Sequence, residues 1–264
     1  MIFEQIRNAT VILHYGNKKI LVDPWFAPKE SLGTFNTLNL GMFSPYEEKN
    51  IIPMPMAELP CSVESVLDGI DTCFVTHIHP DHIDMMPDGT IGHPLLKSIP
   101  VIVRDSEDVP AYEKSGFSDI TALSAEPMQY GNITLTRTSA LHGTKLPCGP
   151  ACGVILQCEN EPTVYLMGDT IWTEEVKETI LKYQPDVIII NACAAEFVNF
   201  GTLITGKEDI KRVSEIAPNA VIVVSHMDTV AHMTVSREDV KAYLAEHHLP
   251  NTVLIPENGE KLSL

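Results

Sequence analysis

The sequence predicts a mixed α/β fold in which helices cover packed sheets, and two observations support this prediction. Apolar runs rich in β-forming residues follow one another along the chain, and helix start signals gather in its later part. This order is typical of sheets that carry helices on their outer faces. With 264 residues the chain can bury one large core, and we expect a single domain over residues 1–264.

The first predicted element is a hairpin near the N-terminus. Its strands, Thr10–Tyr15 and Lys18–Val22, are joined by Gly16 and Asn17, two residue types that tolerate positive φ. The hairpin ends at Asp23. Later strands are predicted at residues 72–76, 101–103, 133–136, 154–157, 164–167, 187–190, 220–224 and 253–255.

Three helix starts are predicted from capping residues. Thr173 precedes two glutamates, whereas Thr205 and Ser236 are each followed by an acidic residue three positions on. Between the hairpin and the later strands, residues 25–60 follow no regular pattern and contain five prolines, but they also contain apolar aromatic and methionine side chains. A stretch of this kind is usually functional. We expect it to be a lid over a site or a contact between subunits.

Charge and cysteine content limit the classes of partner. Subtracting 35 Asp and Glu from 18 Lys and Arg leaves a net charge of −17, which opposes binding to nucleic acid or to anionic lipid. Charges near the N-terminus and the lack of long apolar runs predict a cytoplasmic protein without membrane insertion. We expect the six cysteines, including the close pair Cys148 and Cys152, to be structural. The expected partner is a small-molecule substrate, and a homo-oligomer stays open.

A dense cluster of metal-binding residue types follows the strand predicted at residues 72–76. Residues 76–82 read Thr-His-Ile-His-Pro-Asp-His. In an extended segment His77 and His79 lie on the same side, as two ligands of one ion must. Asp81 and His82 face elsewhere and are candidates for a second ion. The alternative is a polar surface turn, but adjacent imidazoles without a metal would be an unusual way to build one.

Three further candidates follow predicted strands. His142 comes shortly after the strand at 133–136, Asp169 follows the strand at 164–167, and His226 follows the strand at 220–224. Strand ends converge on one rim of a sheet structure. Four chain segments could therefore bring seven ligands to one cleft, which is enough for two metal ions.

These residues, in this order, resemble the metallo-β-lactamase superfamily, whose HxHxDH motif is followed by a lone His, an Asp and a final His. The resemblance extends from the hairpin that ends at Asp23 to the Gly-Asp-Thr sequence at residues 168–170, and so covers nearly the whole chain. Within the superfamily the chain looks most like the branch that contains ascorbate-6-phosphate lactonase and the N-acyl-phosphatidylethanolamine phospholipases.

The resemblance implies a four-layer αβ/βα sandwich with two metal ions at one edge. His77, His79 and His142 would bind the first ion, Asp81, His82 and His226 the second, and Asp169 would bridge them. Asp81 and His226 are the expected catalytic residues. Imidazole and carboxylate ligands suit Zn, with Mn or Fe as alternatives. A metal-bridging hydroxide would hydrolyse a small ester, lactone or phosphodiester, of which a sugar-phosphate lactone is one example.

Weaker candidates stay open at this stage. His232 either replaces His226 as a ligand or lines the pocket. Asp23 either orients a ligand histidine or is a turn residue. Lys145 could bind an anionic substrate group or be solvated, and Glu196 is a candidate at the rim. The expected bystanders are His14, His93, His247 and His248.

Two other function classes compete with hydrolysis. The first is a di-iron redox protein of the same fold that performs oxygen or sulfur chemistry. Such flavoproteins usually have Glu at the second histidine of the motif and carry a flavin domain, whereas His79 occupies that position here. The second is a metal-free binding module, which is disfavoured because no expected ligand is missing. Metal analysis of the protein distinguishes the three classes.

Overall fold

Two large β-sheets face each other in the structure, a computed structural model that describes residues 1–38, 40–250 and 252–264. Seven of the described strands form the first sheet, in the order β16 (Lys261–Ser263), β1 (Ile2–Arg7), β2 (Thr10–Tyr15), β3 (Lys18–Val22), β4 (Thr72–Val75), β5 (Val101–Val103) and β6 (Ile120–Ala122). Seven more form the second, in the order β15 (Val253–Leu254), β14 (Val221–Ser225), β11 (Val187–Asn191), β10 (Val164–Leu166), β9 (Cys152–Gln157), β8 (Ile133–Ser139) and β7 (Met128–Tyr130).

Each sheet contains a run of parallel strands. In the first sheet β3, β4, β5 and β6 pair in parallel, and in the second sheet β10, β11, β14 and β15 do so. Strand β8 points in the same direction as β10, because β9 pairs antiparallel with both. The carboxyl ends of β8, β10, β11 and β14 therefore lie on one edge of the second sheet.

Helices connect many of these strands. The described helices are α1 (Phe35–Leu38), α2 (Val63–Leu67), α3 (Val109–Lys114), α4 (Glu174–Tyr183), α5 (Lys207–Ile216) and α6 (Arg237–Glu246), and a short hairpin pairs β12 (Glu196–Phe197) with β13 (Gly201–Thr202). Each helix in the described ranges is too short or too polar to span a bilayer.

Two of the three predicted helix starts are confirmed. Thr173 caps α4 by accepting a hydrogen bond from the backbone N–H of Val176, and Ser236 caps α6 in the same way through Asp239. The start at Thr205 is wrong by one residue, because its hydroxyl donates to the carbonyl oxygen of Asn191 at 2.5 Å. Helix α5 therefore begins after Gly206.

Three apolar clusters produce four layers. Val11, Leu13 and Tyr15 alternate along β2 and pack against the second sheet, whereas Ile12 between them packs on the opposite face, under α2 and α3. The outer face of the second sheet packs against α4, α5 and α6. This order of helix, sheet, sheet and helix confirms the predicted four-layer αβ/βα sandwich.

The irregular segment of residues 25–60 is held at both ends by one buried side chain. Arg7 donates hydrogen bonds to the carbonyl oxygens of Trp25, Ala27 and Ala57. Three fixed donors on one guanidinium suit this task, because each buried carbonyl group needs a partner. In its middle the segment meets the chain just after the end of β12, since the N–H of Val198 donates to the carbonyl oxygen of Phe43. Its role as lid or subunit contact stays a prediction.

Candidate metal centre

The structure brings the seven predicted ligands together at one edge of the sandwich. His77, His79, Asp81 and His82 follow β4, and His142 follows β8. Asp169 and His226 follow β10 and β14, the latter directly. Among the residues that the structure describes, three sets of side chains place their ligand atoms within 4.8 Å of one another. The first group is His77, His79 and His142, and the second group is Asp81, His82 and His226. A third set, His77, His82 and Asp169, links these two groups.

The spacing within the first group fits one tetrahedrally bound cation. His79 Nδ1 lies 3.0 Å from His77 Nε2 and 3.3 Å from His142 Nε2. Two nitrogens bound tetrahedrally at 2.0–2.1 Å from one zinc ion lie about 3.3 Å apart. The three imidazoles therefore fit one ion without a change of backbone.

The second group has similar spacing. His226 Nε2 lies 3.2 Å from His82 Nε2 and 3.3 Å from Asp81 Oδ2. All three side chains are mostly or fully buried. Two nitrogens and one carboxylate oxygen form a donor set that suits Zn, Mn or Fe, so the geometry leaves the choice among these metals open.

Asp169 lies between the two groups. Its Oδ2 atom is 3.2 Å from His82 Nε2, 3.8 Å from His142 Nε2 and 3.9 Å from His77 Nε2. Its Oδ1 atom accepts a hydrogen bond from Asn191 Nδ2 at 2.7 Å, which fixes the carboxylate plane. One oxygen therefore faces both groups, as a bridging ligand must.

The second ring nitrogen of each of four ligand histidines has a polar partner. His142 Nδ1 pairs with the carbonyl oxygen of Leu203 at 2.9 Å, and His79 Nε2 pairs with that of Cys148 at 3.0 Å. Because a carbonyl oxygen only accepts, these nitrogens carry the proton and the opposite nitrogens present lone pairs to the centre.

Asp23 orients the other two of these ligand histidines, His82 directly and His77 through the hydroxyl of Thr76. It accepts from His82 Nδ1 at 2.9 Å and from the Thr76 hydroxyl at 2.9 Å, and that hydroxyl lies 2.9 Å from His77 Nδ1. Of the two interpretations left open for Asp23, the structure favours the orienting residue. The donor chemistry of all these side chains thus fits two divalent cations.

Burial and charge divide the histidines into two classes. Burial lowers the pKa of His77, His142 and His79, the last to about 4, so these rings are neutral near neutral pH. Burial also lowers the pKa of His82, but Asp169, Asp23 and Asp81 outweigh it and raise that pKa to about 10. A cation at the second group would have to displace this proton, so higher pH would favour its binding.

The backbone is strained at two of these positions. His226 has φ +62° and Asp23 has φ +44°, in the left-handed region that non-glycine residues seldom occupy. Such strain is often found at functional sites, where the surrounding structure holds it in place. Gly168 makes the neighbouring turn possible at φ +66°, because a Cβ there would lie 2.3 Å from the Cys152 carbonyl oxygen.

A cavity of about 250 Å³ opens beside the centre. His79, Asp81, His142 and Asp169 form its floor. Most of the other lining side chains are apolar, and they include Leu40, Met42, Ile78, Met85, Ala195 and Leu203. Two of these come from the segment of residues 25–60, so that segment forms part of the wall.

The weaker candidates fall into different places. His232 lines the cavity but belongs to none of the three ligand groups found among the described residues. Lys145 is exposed and donates to the carbonyl oxygen of Val198. Glu196 pairs in β12 and its backbone N–H donates to the carbonyl oxygen of His232. The expected bystanders lie outside the cavity lining, with His14 in β2, His93 at a 3₁₀ turn, and His247 and His248 after α6.

Sequence reasoning missed three residues that contact the ligands. Asn191 holds Asp169, Cys193 Sγ lies 3.5 Å from His226 Nδ1, and Asn8 Nδ2 lies 3.1 Å from His226 Nε2. Asn191 ends β11, which lies between β10 and β14. The strand-end argument could therefore have found it, whereas no local signal marks Asn8 or Cys193.

Comparisons with known proteins agree with this geometry. A family model described as "Beta-lactamase superfamily domain" matches residues 18–242. The UPF0173 protein YddR of Bacillus subtilis (strain 168) is 35% identical over 261 residues, which span 97% of each chain. A solved structure described as a possible metal-dependent hydrolase from Veillonella parvula DSM 2008 has 34% identity and a TM-score of 0.88, and the match covers 100% of this chain and 99% of that one. The structure of isothiocyanate hydrolase from Delia radicum gut bacteria has 29% identity and a TM-score of 0.84, with coverage of 100% and 99%.

Proposed function

Because the chain belongs to the β-lactamase superfamily and is a metal-dependent hydrolase, we propose that it holds two divalent ions and hydrolyses a small ester, lactone or phosphodiester. The observation that carries this proposal is the position of Asp169, whose Oδ2 atom lies within 4 Å of histidines of both ligand groups. A carboxylate oxygen placed in this way would let the two groups hold cations close enough to act on one water molecule.

The protein's own residues prepare the site for this reaction. Bound divalent ions would lower the pKa of a shared water molecule and polarise the scissile group. Asp23 and the carbonyl oxygens of Leu203 and Cys148 keep lone pairs of the ligand histidines directed to the centre. Burial would raise the pKa of Asp169, but the neighbouring His82 and His226 lower that pKa by more than burial raises it, so the carboxylate stays ionised.

Asp81 and His226 are the proposed catalytic residues. Asp81 lines the cavity, and its Oδ2 atom lies 3.3 Å from His226 Nε2. Burial would raise the pKa of Asp81, but His82 and His226 lower it by more, so the carboxylate is ionised and can orient the attacking water by accepting a hydrogen bond from it. His226 is held from its other side by Cys193 Sγ at 3.5 Å.

The cavity wall narrows the choice of substrate. Among its described lining residues there is no Lys or Arg that could bind a phosphate group away from the ions. The mostly apolar wall therefore supports a small uncharged ester or lactone over a sugar-phosphate lactone. A relationship to the lactonase-like branch stays part of the proposal.

A second candidate activity is hydrolysis of an isothiocyanate. It is suggested by the 29% identical structure of isothiocyanate hydrolase, which aligns over the whole chain. The central carbon of an isothiocyanate is a small uncharged electrophile, and the apolar cavity suits its organic substituent. The same site and the same attacking water would serve both activities.

A substrate screen tests the proposal. The protein is treated with a chelator, reloaded with two equivalents of Zn²⁺ or Mn²⁺, and assayed with p-nitrophenyl acetate, a δ-lactone, bis(p-nitrophenyl) phosphate and benzyl isothiocyanate. We expect turnover that requires metal and that falls at least a hundredfold in Asp81→Asn. Turnover that survives the chelator, or no turnover of any of these compounds, would contradict the proposal.

A further inference from the structure

His232 is a cavity residue for which neither the ligand groups nor the proposed reaction has a use. It follows β14 by seven residues and is only 8% exposed, yet it lines the cavity together with His79, Asp81 and His142. Its position in the wall, rather than at the centre, separates it from the ligands. A histidine buried at this place needs a physical reason.

The ring of His232 is held in one orientation by two aromatic side chains. It stacks on Phe197 with ring centroids 4.5 Å apart and planes at 7°, and its centroid lies 5.4 Å from that of Phe35 with the planes at 80°. Phe35 belongs to the segment of residues 25–60, and Phe197 belongs to β12. These contacts need an aromatic ring, but they do not need a ring with nitrogens.

One nitrogen of this ring lacks a partner. Nδ1 of His232 is buried and forms no hydrogen bond within the described ranges. Burial lowers the pKa of this histidine to about 4 despite the nearby Asp81. The ring is therefore neutral near neutral pH, with one nitrogen that donates and one that accepts. An unpaired buried nitrogen destabilises the folded state, so a phenylalanine at this position would give a more stable fold.

The rest of the wall has little else with which to recognise a polar group. Apart from histidine and aspartate, the described lining side chains are Leu40, Met42, Ile78, Met85 and other uncharged residues. Leu40 and Met85 are also exposed, at 53% and 44%, so the cavity mouth is apolar. An uncharged compound with an apolar substituent fits this wall, and His232 is placed to meet its polar atom.

We propose that His232 is a substrate-binding residue whose ring forms a hydrogen bond with a polar atom of a small uncharged substrate. This inference rests on the proposed function, because it takes the cavity beside the metal centre as the place where substrate binds. The aromatic contacts fix the direction of the ring, and the apolar wall binds the rest of the compound.

Two variants separate this role from a structural one. His232→Phe keeps an aromatic ring between Phe35 and Phe197 but removes both nitrogens, whereas His232→Asn keeps a polar group near Nδ1. His247→Phe is the matched control, since His247 is exposed and packs on the aromatic ring of Tyr243. The probes are N-benzylacetamide, which has hydrogen-bonding atoms, and ethylbenzene, which has none.

Calorimetric titration of the zinc-loaded protein measures both dissociation constants. We expect His232→Phe to weaken N-benzylacetamide binding about threefold to tenfold, the value of one neutral hydrogen bond, and to leave ethylbenzene binding unchanged. His232→Asn should recover part of the loss, and the metal content should stay the same in all variants. With p-nitrophenyl acetate, KM should rise by the same factor while kcat changes less than threefold.

Three results would overturn the inference. These are unchanged amide binding in His232→Phe, an equal loss for both probes, and a parent protein that does not bind the amide. Failure of the proposed function is recognised separately. In that case the amide binds and responds to His232→Phe, but the metal-loaded protein hydrolyses none of the compounds in the screen.

Discussion

Replacement of Asp23 by Asn should weaken the second metal position more than the first. The Asp23 carboxylate accepts from the backbone N–H of Thr76 at 2.8 Å through Oδ1 and from His82 Nδ1 at 2.9 Å through Oδ2. An asparagine can keep its oxygen on the Thr76 N–H, but its amide nitrogen then faces His82. Two donors would meet there unless His82 moves its proton to Nε2, the atom that lies 3.2 Å from Asp169 Oδ2.

The size of this effect follows from that proton. A proton on Nε2 removes the lone pair with which His82 would bind a cation. Loss of a residue that orients a ligand histidine typically lowers metal affinity 10- to 100-fold, which corresponds to about 1.4–2.7 kcal/mol. The first group depends on Asp23 only through the Thr76 hydroxyl, whose contact with His77 survives.

Competition with a chromophoric chelator measures both affinities. The second group should be the weaker Zn²⁺ site, because a cation there has to displace the proton of His82. We expect the dissociation constant of this site to rise about 10- to 100-fold in Asp23→Asn and that of the tighter site to change less than threefold. Asp84→Asn is the control, because Asp84 is also a buried carboxylate near the N-terminal strands but contacts the backbone of Phe26 rather than a ligand. If both affinities of Asp23→Asn equal those of the parent, the assignment of Asp23 is wrong.

Two further predictions concern Asp169 and Asp84. Asp169→Ala should lose at least a hundredfold in turnover and bind fewer ions, because the Asp169 oxygen faces both ligand groups. Alanine at His93, His247 or His248 should change turnover less than threefold. If Asp169→Ala turns over within threefold of the parent and still binds two ions, the ligand assignment is wrong. Burial raises the pKa of Asp84 from 3.8 to about 6, so its carboxyl group binds a proton more tightly in the folded state than in the unfolded chain. The contribution of this proton to the free energy of unfolding is therefore complete below about pH 4 and is lost as the pH rises through 6. Urea unfolding of Asp84→Asn should therefore give a free energy, relative to the parent, that increases by up to about 3 kcal/mol between about pH 4 and about pH 8, and a difference independent of pH would refute this account.

The sequence predicts much of the fold because its signals are local. The hairpin of Thr10–Tyr15 and Lys18–Val22 is confirmed at both boundaries, since Gly16 and Asn17 have the positive φ of +57° and +60° that their types allow. Strand β1 was not predicted. Its partners are β16, at the other end of the chain, and β2, which follows it directly in sequence. The polar residues Glu4, Gln5 and Arg7 interrupt its apolar ones and are buried against partners that only the tertiary fold supplies, so no local alternation marks this strand.

In the candidate site too, some residues have a local signal in the sequence and others are placed only by the tertiary fold. The positions of the seven ligands follow from a dense motif and from strand ends, and the structure brings all seven together. The residues that orient them are less visible, because Asn8 and Cys193 gain their positions only from the tertiary fold. His232 stayed open between ligand and lining residue, since six residues of irregular chain after His226 do not determine where a ring lies.

The metal content of the purified protein tests the central claim most directly. The protein is prepared without chelators, supplied with Zn²⁺ or Mn²⁺, freed of unbound metal and analysed for its elements. Two groups of ligands that share Asp169 predict close to two divalent ions per chain. A folded protein that retains no divalent metal after this treatment would contradict the account.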